Sequence, residues 1–198
     1  MIAYIDGKLA YKDPTFVIID VGGVGYLIKI SLQTYASLRE GERCRLQTYL
    51  SIKEDAHTLY GFTESHEKKV FLELISVSGI GPNTALVMLS SLSALEIEHA
   101  ILSEDLRTIQ GIKGIGLKTA QRVILELKDK IRKGGVAGEI PSMGSLGGGN
   151  TLRNEALSAL VTLGIPKNVA EKSIDTVIKR EGADIGLEKI IKMALQVR

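Results

Sequence analysis

At 198 residues the chain has room for one to three small domains, and 44% apolar residues are enough to give each a core. The net charge of +2 excludes a protein wrapped in a global basic field, so any polyanion must be met by a local patch. The single cysteine, Cys44, excludes an intrachain disulfide, a zinc site built from thiolates and a four-cysteine iron–sulfur cluster, and it fits a reducing cytoplasmic setting.

Cys44 lies between Arg43 and Arg45 and reads as structural. His57, His66 and His99 have no metal-ligand spacing, so neither a metal nor a cofactor is expected. No signal pattern opens the chain and no apolar run approaches membrane-spanning length, so a soluble protein is expected.

Residues 1–63 read as strands. Alternating or β-branched runs occur at Ile2–Ile5, Thr15–Val21, Tyr26–Ile30, Arg45–Ile52 and Thr58–Phe62. Turn signals separate them at Asp6-Gly7, Asp13-Pro14, Gly22-Gly23 and Gly41, and Ser31 to Leu38 suits one short helical turn. Strands at this spacing cannot leave their edges open, which predicts a small closed barrel of the OB type. Eight of the nine aromatics fall in this stretch. Core filling is the favoured role for them, with base stacking as the alternative.

Residues 64–133 switch to helical periodicity. Val70, Phe71, Leu74 and Ile75 mark one face of a first helix, and Gly81-Pro82 opens a second. Ser93 and Glu96 form a capping box for a third, and Ser103, followed by Glu104 and Asp105, is expected to cap a fourth. Ala120, Val123, Ile124, Leu127 and Ile131 then form the apolar stripe of a fifth, with Lys118 and Arg122 on another face. Residues 134–149 hold seven glycines and a proline and are expected to be a flexible linker. Residues 150–198 show three short apolar periods, broken at Leu163-Gly164-Ile165-Pro166, and predict a small three-helix module of the UBA-like kind. With mixed charge and no chemistry of its own, such a module suits docking to a partner protein.

Two near-copies of one motif sit about 35 residues apart, Gly79-Ile80-Gly81-Pro82-Asn83-Thr84-Ala85 and Gly114-Ile115-Gly116-Leu117-Lys118-Thr119-Ala120. Each runs straight into a helical stretch. Paired glycines let the chain turn tightly and let a ligand approach bare backbone, and the helix start offers unpaired N–H groups with a partial positive charge. Such a site suits a phosphate. Two in tandem point to a repeating polyanion, with a purely structural helical hairpin as the plain alternative. A Walker A loop needs Lys directly after its second glycine, where Leu117 stands, and a dinucleotide fingerprint needs a third glycine, where Thr84 and Thr119 stand. From Arg107 to Lys133 there are eight basic residues against two acids, a local basic patch around the second turn. The expected phosphate-binding residues are Gly79, Ile80, Gly81, Asn83 and Thr84 in the first hairpin, and Lys113, Gly114, Ile115, Gly116, Lys118, Thr119 and Arg122 in the second.

In this order, barrel, twin hairpins, glycine linker and helical tail resemble the RuvA family over the whole chain. The most specific matches are Asp20 to Tyr26 (DVGGVGY), Lys53-Glu54-Asp55-Ala56 with Leu59-Tyr60-Gly61-Phe62, and the two hairpins. The resemblance implies a multidomain α+β chain divided at 1–63, 64–133, 134–149 and 150–198. It implies a non-catalytic homotetramer, with a face-to-face octamer as an alternative on DNA, that holds a four-way DNA junction open and square. It implies the RuvB ATPase as motor partner and RuvC resolvase as a further candidate. It makes Glu54 and Asp55 an acidic pin at the junction centre, and it places motor docking around Leu160, Leu163 and Ile165. Asn83 and Leu117 depart from the pattern, since Lys is frequent at both positions, and Lys53 stands where Arg is common. Fewer side-chain cations predict a shallower salt dependence.

Two competing functions remain on the residues alone. A helix-hairpin-helix glycosylase or nuclease would want a catalytic Asp or Lys beyond the hairpin, for which Asp129 is the weak candidate. A single-strand binder would want a basic groove, whereas residues 1–63 hold seven basic and seven acidic residues.

Overall fold

Five strands close into a barrel in the order β1-β2-β3-β5-β4: β1 (Tyr4–Lys12), β2 (Phe16–Val21), β3 (Val24–Ile30), β4 (Arg43–Ile52) and β5 (His57–Phe62). They belong to a computed structural model that describes residues 1–132, 150–181 and 185–196. The expected linker at 134–149 lies outside the described residues. Neighbouring strands are antiparallel except β3 and β5, which run parallel with Ile28 opposite Leu59 and Lys29 opposite Tyr60. Strand alternation sends Ile5, Leu9, Val17, Ile19, Ile28, Ile30, Leu46 and Leu59 into the barrel core. Between β3 and β4 lies α1 (Leu32–Ser37), capped by Ser31, whose hydroxyl accepts the Thr34 N–H.

The first strand is longer than its apolar run, and Asp6-Gly7 is no turn. Both residues lie inside β1, where Gly7 pairs with Cys44. A Cβ on Gly7 would lie 2.2 Å from the Asp20 carbonyl oxygen, so this glycine marks a close approach of strands. Asp6 accepts a 2.8 Å bond from Arg43 Nε. Half-burial pushes the Cys44 thiol up, with the Asp6 charge adding to it, which disfavours the reactive thiolate.

Five helices follow: α2 (Ser65–Ile75), α3 (Pro82–Ser91), α4 (Ala94–Leu102), α5 (Leu106–Gln110) and α6 (Leu117–Arg132). The α4 capping box forms as expected between Ser93 and Glu96. The cap of α5 is Asp105 rather than Ser103. Asp105 accepts the Thr108 N–H at 3.1 Å, whereas the Ser103 hydroxyl donates back to the His99 carbonyl and closes α4.

A core distinct from that of the barrel joins β5 to the helices. Phe71 on α2 has its ring centroid 5.5 Å from Tyr49, 5.4 Å from Tyr60 and 4.9 Å from Phe62. Tyr60 and Phe62 are therefore buried against the helices, and core filling is their role. Tyr4 and Tyr11 are about half exposed, one under the Arg45 guanidinium and the other stacked on Phe16. A second tie is polar: buried Glu67 of α2 accepts from the Ser31 hydroxyl and, at 2.8 Å, from Thr34 Oγ1. Burial pushes its carboxyl up, against the lowering pull of those two hydroxyls.

The C-terminal unit is a separate three-helix module of α7 (Asn150–Thr162), α8 (Lys167–Glu181) and α9 (Leu187–Ala194), each packed on the other two. Its core is Ala156, Leu157, Leu160, Ala170, Ile174, Val177, Ile185, Ile190 and Ala194. A Schellman motif ends α7. Gly164 takes φ +91°, its N–H bonds the Val161 carbonyl, and the Ile165 N–H bonds the Leu160 carbonyl. That turn faces Leu160 and Ile165 inward and Leu163 outward.

Candidate nucleic-acid interface

Both Gly-Ile-Gly turns are built by the same bonds. In the first, Val77 N–H reaches Leu74 O, Ile80 N–H reaches Val77 O at 3.1 Å, and Ala85 N–H reaches Gly81 O at 3.0 Å. In the second, Ile112 reaches Ile109, Ile115 reaches Ile112 at 3.1 Å, and Ala120 reaches Gly116 at 2.9 Å. The leading glycines take left-handed φ values, +94° at Gly79 and +90° at Gly114, which explains why they are glycine.

Gly81 and Gly116 differ in kind. Gly81 has φ −91° and ψ 169°, open to any residue, and neither glycine takes a left-handed φ. A Cβ on either would meet no heavy atom of the protein within 4 Å. Nothing inside the fold requires glycine at these two positions, whereas Gly7 is pressed by its own barrel. What a Cβ would fill is the space in front of the helix start. There the N–H groups of Gly81, Asn83 and Thr84 precede the first intrahelical bond of α3, and those of Gly116, Leu117, Lys118 and Thr119 precede that of α6. Pro82 removes one donor from the first set.

The side chains divide by role. Ile80 and Ile115 are buried and anchor their turns in the core, so only their backbone borders the site. Lys113 and Lys118 are exposed beside the second turn. Arg122 is partly engaged by the protein itself: Nη1 donates to the Ser78 carbonyl at 3.4 Å, and Nε pairs with Glu126 at 3.1 Å. It thereby ties α6 to the first turn and brings the two hairpins together. Lys130 adds a second tie to Ser76 at 3.0 Å.

The Asn83 amide oxygen accepts from Tyr60 Oη at 2.9 Å and from Lys29 Nζ at 3.4 Å. No local sequence signal joins Lys29 or Tyr60 to the first hairpin. Only the parallel pairing of β3 with β5 sets them side by side. Leu117, at the start of α6, is exposed and apolar.

Glu54 and Asp55 occupy the tip of the β4–β5 hairpin, where Ile52 pairs with His57 and Lys53 N–H donates to Ala56 O at 2.9 Å. Residues 52–57 are all exposed. Of the three expected docking residues, Leu160 is 0% exposed and belongs to the module core, which corrects its assignment to a surface. Ile165 packs on the same core, and Leu163 is 62% exposed. Asp129 is exposed on α6. Among the described residues no group of side chains is arranged to hold a metal ion, and no single helix is long and apolar enough to cross a membrane.

A family model described as RuvA N terminal domain matches residues 1–61, one described as SAM-like Helix-hairpin-helix tandem matches 71–129, and one described as RuvA, C-terminal domain matches 151–197. The chain is 55% identical over 198 residues to the Holliday junction branch migration complex subunit RuvA of Cytophaga hutchinsonii, covering 100% of both. It is 50% identical over 196 residues to the Flavobacterium psychrophilum subunit of the same name, covering 99% of each. It is 48% identical over 199 residues to the Amoebophilus asiaticus subunit, covering 99% of this chain and 100% of that one. Closed barrel, tandem hairpins and helical tail stand in the order those matches require, and the chain belongs to the RuvA family.

Proposed function

We propose that this chain is the DNA-binding, non-catalytic subunit of a branch-migration complex. As a homotetramer it holds a four-way junction open and square and recruits the RuvB ATPase, with RuvC resolvase as a further partner on the junction and the cytoplasm as the compartment. The observation that carries this is the pair of open cradles at Gly81 and Gly116, each facing a helix start with unpaired N–H groups. A DNA phosphate seats there without any side chain to push it back. Contacts of this type read backbone and geometry, not base identity, as a junction binder requires.

The division of labour follows from charge. The barrel carries the acidic tip, Glu54 and Asp55, and the helical unit carries the cradles, Lys113 and Lys118. Fourfold assembly gathers the acidic pairs at the centre, where they repel the phosphates of the crossing strands. Attraction at the cradles outside that centre holds the duplex arms. Affinity then resides in the arms and mobility in the middle, which lets strands exchange partners without being gripped. The tail module, residues 150–198, docks the motor through the surface around Leu163, and the face-to-face octamer is the second assembly to look for.

The test is a gel-shift titration on a synthetic four-way junction against a linear duplex of matched length and strand content, at two salt concentrations. Strong junction preference with discrete complexes of tetramer or octamer mass is expected. Equal binding to both substrates, or preference for single strands, overturns the proposal and leaves the cradles as generic phosphate clamps.

A further inference from the structure

The two hairpins are unequal in charge. The second carries Lys113 and Lys118, whereas the first, from Ser78 to Ala85, has no basic residue. It has also lost one amide donor to Pro82. A cation nevertheless stands at its entrance. Alternation along β3 buries Ile28 and Ile30 in the barrel and turns Lys29 to the outer face, toward α3. Its register partner Tyr60 faces the same way, and both side chains converge on the Asn83 amide oxygen, at 3.4 Å and 2.9 Å. Burial, with the neighbouring Tyr49, pushes the Tyr60 phenol up, so it stays a neutral donor and holds Asn83 in place.

Resting on the phosphate-binding reading of the hairpins, we propose that Lys29 is the cationic group of the first hairpin's phosphate site, supplied by the barrel and positioned by Asn83. The ammonium has three donors and spends one on Asn83. The other two are available to an anion seated against the Gly81, Asn83 and Thr84 amides. Asn83 acts as a positioning residue: its carbonyl takes the place of a side-chain charge at that point and recruits one from the barrel. The chain thus restores through tertiary structure a charge that its hairpin sequence lacks, and the site spans barrel and helical hairpin.

The experiment is a fluorescence anisotropy titration of the full chain on a four-way junction between 50 and 200 mM salt. It compares the parent with Lys29→Gln, Lys29→Arg and, as hairpin control, Lys118→Gln. Each phosphate that goes without its cation should lower the slope of log K against log salt by about 0.9, so the deficit of Lys29→Gln should be about 3.5-fold greater at 50 mM than at 200 mM per phosphate. Lys29→Arg should keep the parent slope, and thermal melting should show all four proteins folded. A Lys29→Gln slope equal to the parent's, with Lys118→Gln lowered, overturns this inference and leaves the hairpin reading standing. Unchanged slopes for both variants likewise overturn this inference, whereas failure of the hairpin reading shows as a parent that binds the junction no better than a matched duplex.

Discussion

Alanine at Gly81 and Gly116 separates what the fold needs from what DNA needs. At Gly81 the backbone is already in a region that alanine adopts, and at both positions the new methyl meets no heavy atom within 4 Å. The folded state loses at most the helix-start preference for Gly over Ala, on the order of 1 kcal/mol. The gain from a less flexible unfolded chain offsets much of that, about 0.4–1 kcal/mol. The melting temperature of a chain this size should therefore move by no more than about 2–4 °C. Binding is another matter. On the proposed reading, the methyl would occupy the space through which a phosphate oxygen reaches the Gly81 or Gly116 cradle. Removing a hydrogen bond to a charged group costs about 1.5–3 kcal/mol. Each substitution should then weaken junction binding about ten- to hundredfold. The assay is anisotropy on junctions of two unrelated sequences, paired with a thermal melt. The loss should be equal for both sequences, because phosphates carry no base information. Affinity within twofold of the parent for a folded Gly81→Ala, Gly116→Ala double variant would refute the cradle, and a sequence-selective loss would refute its phosphate chemistry.

Four further outcomes are expected. Glu54→Gln with Asp55→Asn should preserve or raise junction affinity while altering motor-driven branch migration, and a binding loss as large as that of the cradle variants would sink the pin. Leu160→Ala should cost the tail module about 2–5 kcal/mol in denaturant unfolding. Leu163→Ser should leave its stability nearly unchanged and weaken RuvB binding in calorimetry; motor binding like the parent's would remove Leu163 from the docking surface. Glu67 has its carboxyl raised by burial, so it binds its proton more tightly folded than unfolded. Its contribution to stability is full below the ordinary carboxylate range and is lost as pH rises through the raised folded value. Glu67→Gln should flatten that decline in a series of melts against pH, with the similarly raised Glu73 left to account for the remainder; an unchanged decline would show that Glu67 does not titrate as its burial implies.

The amino-acid sequence by itself determined whatever depends on neighbours a few residues away. The two Gly-Ile-Gly turns, the Ser93–Glu96 capping box, the break at Gly164 and the apolar stripes of the helices are local, because turn dihedrals, cap bonds and helical faces are set within about one helical turn. The acidic pair at the β4–β5 tip was visible for the same reason. Tertiary structure decided the rest. It ran β1 straight through Asp6-Gly7, because strands in a small barrel approach too closely there for any side chain. It set Leu160 inside the tail module and Leu163 outside, a choice that apolar composition cannot make. It joined barrel to helices through Phe71 and Glu67, drew Arg122 onto the first turn, and brought Lys29 to Asn83 across 54 residues of chain. Spacing along a chain cannot encode such pairings, because they exist only once strands have chosen partners and buried one face, and the charge of the first hairpin is therefore a property of the fold.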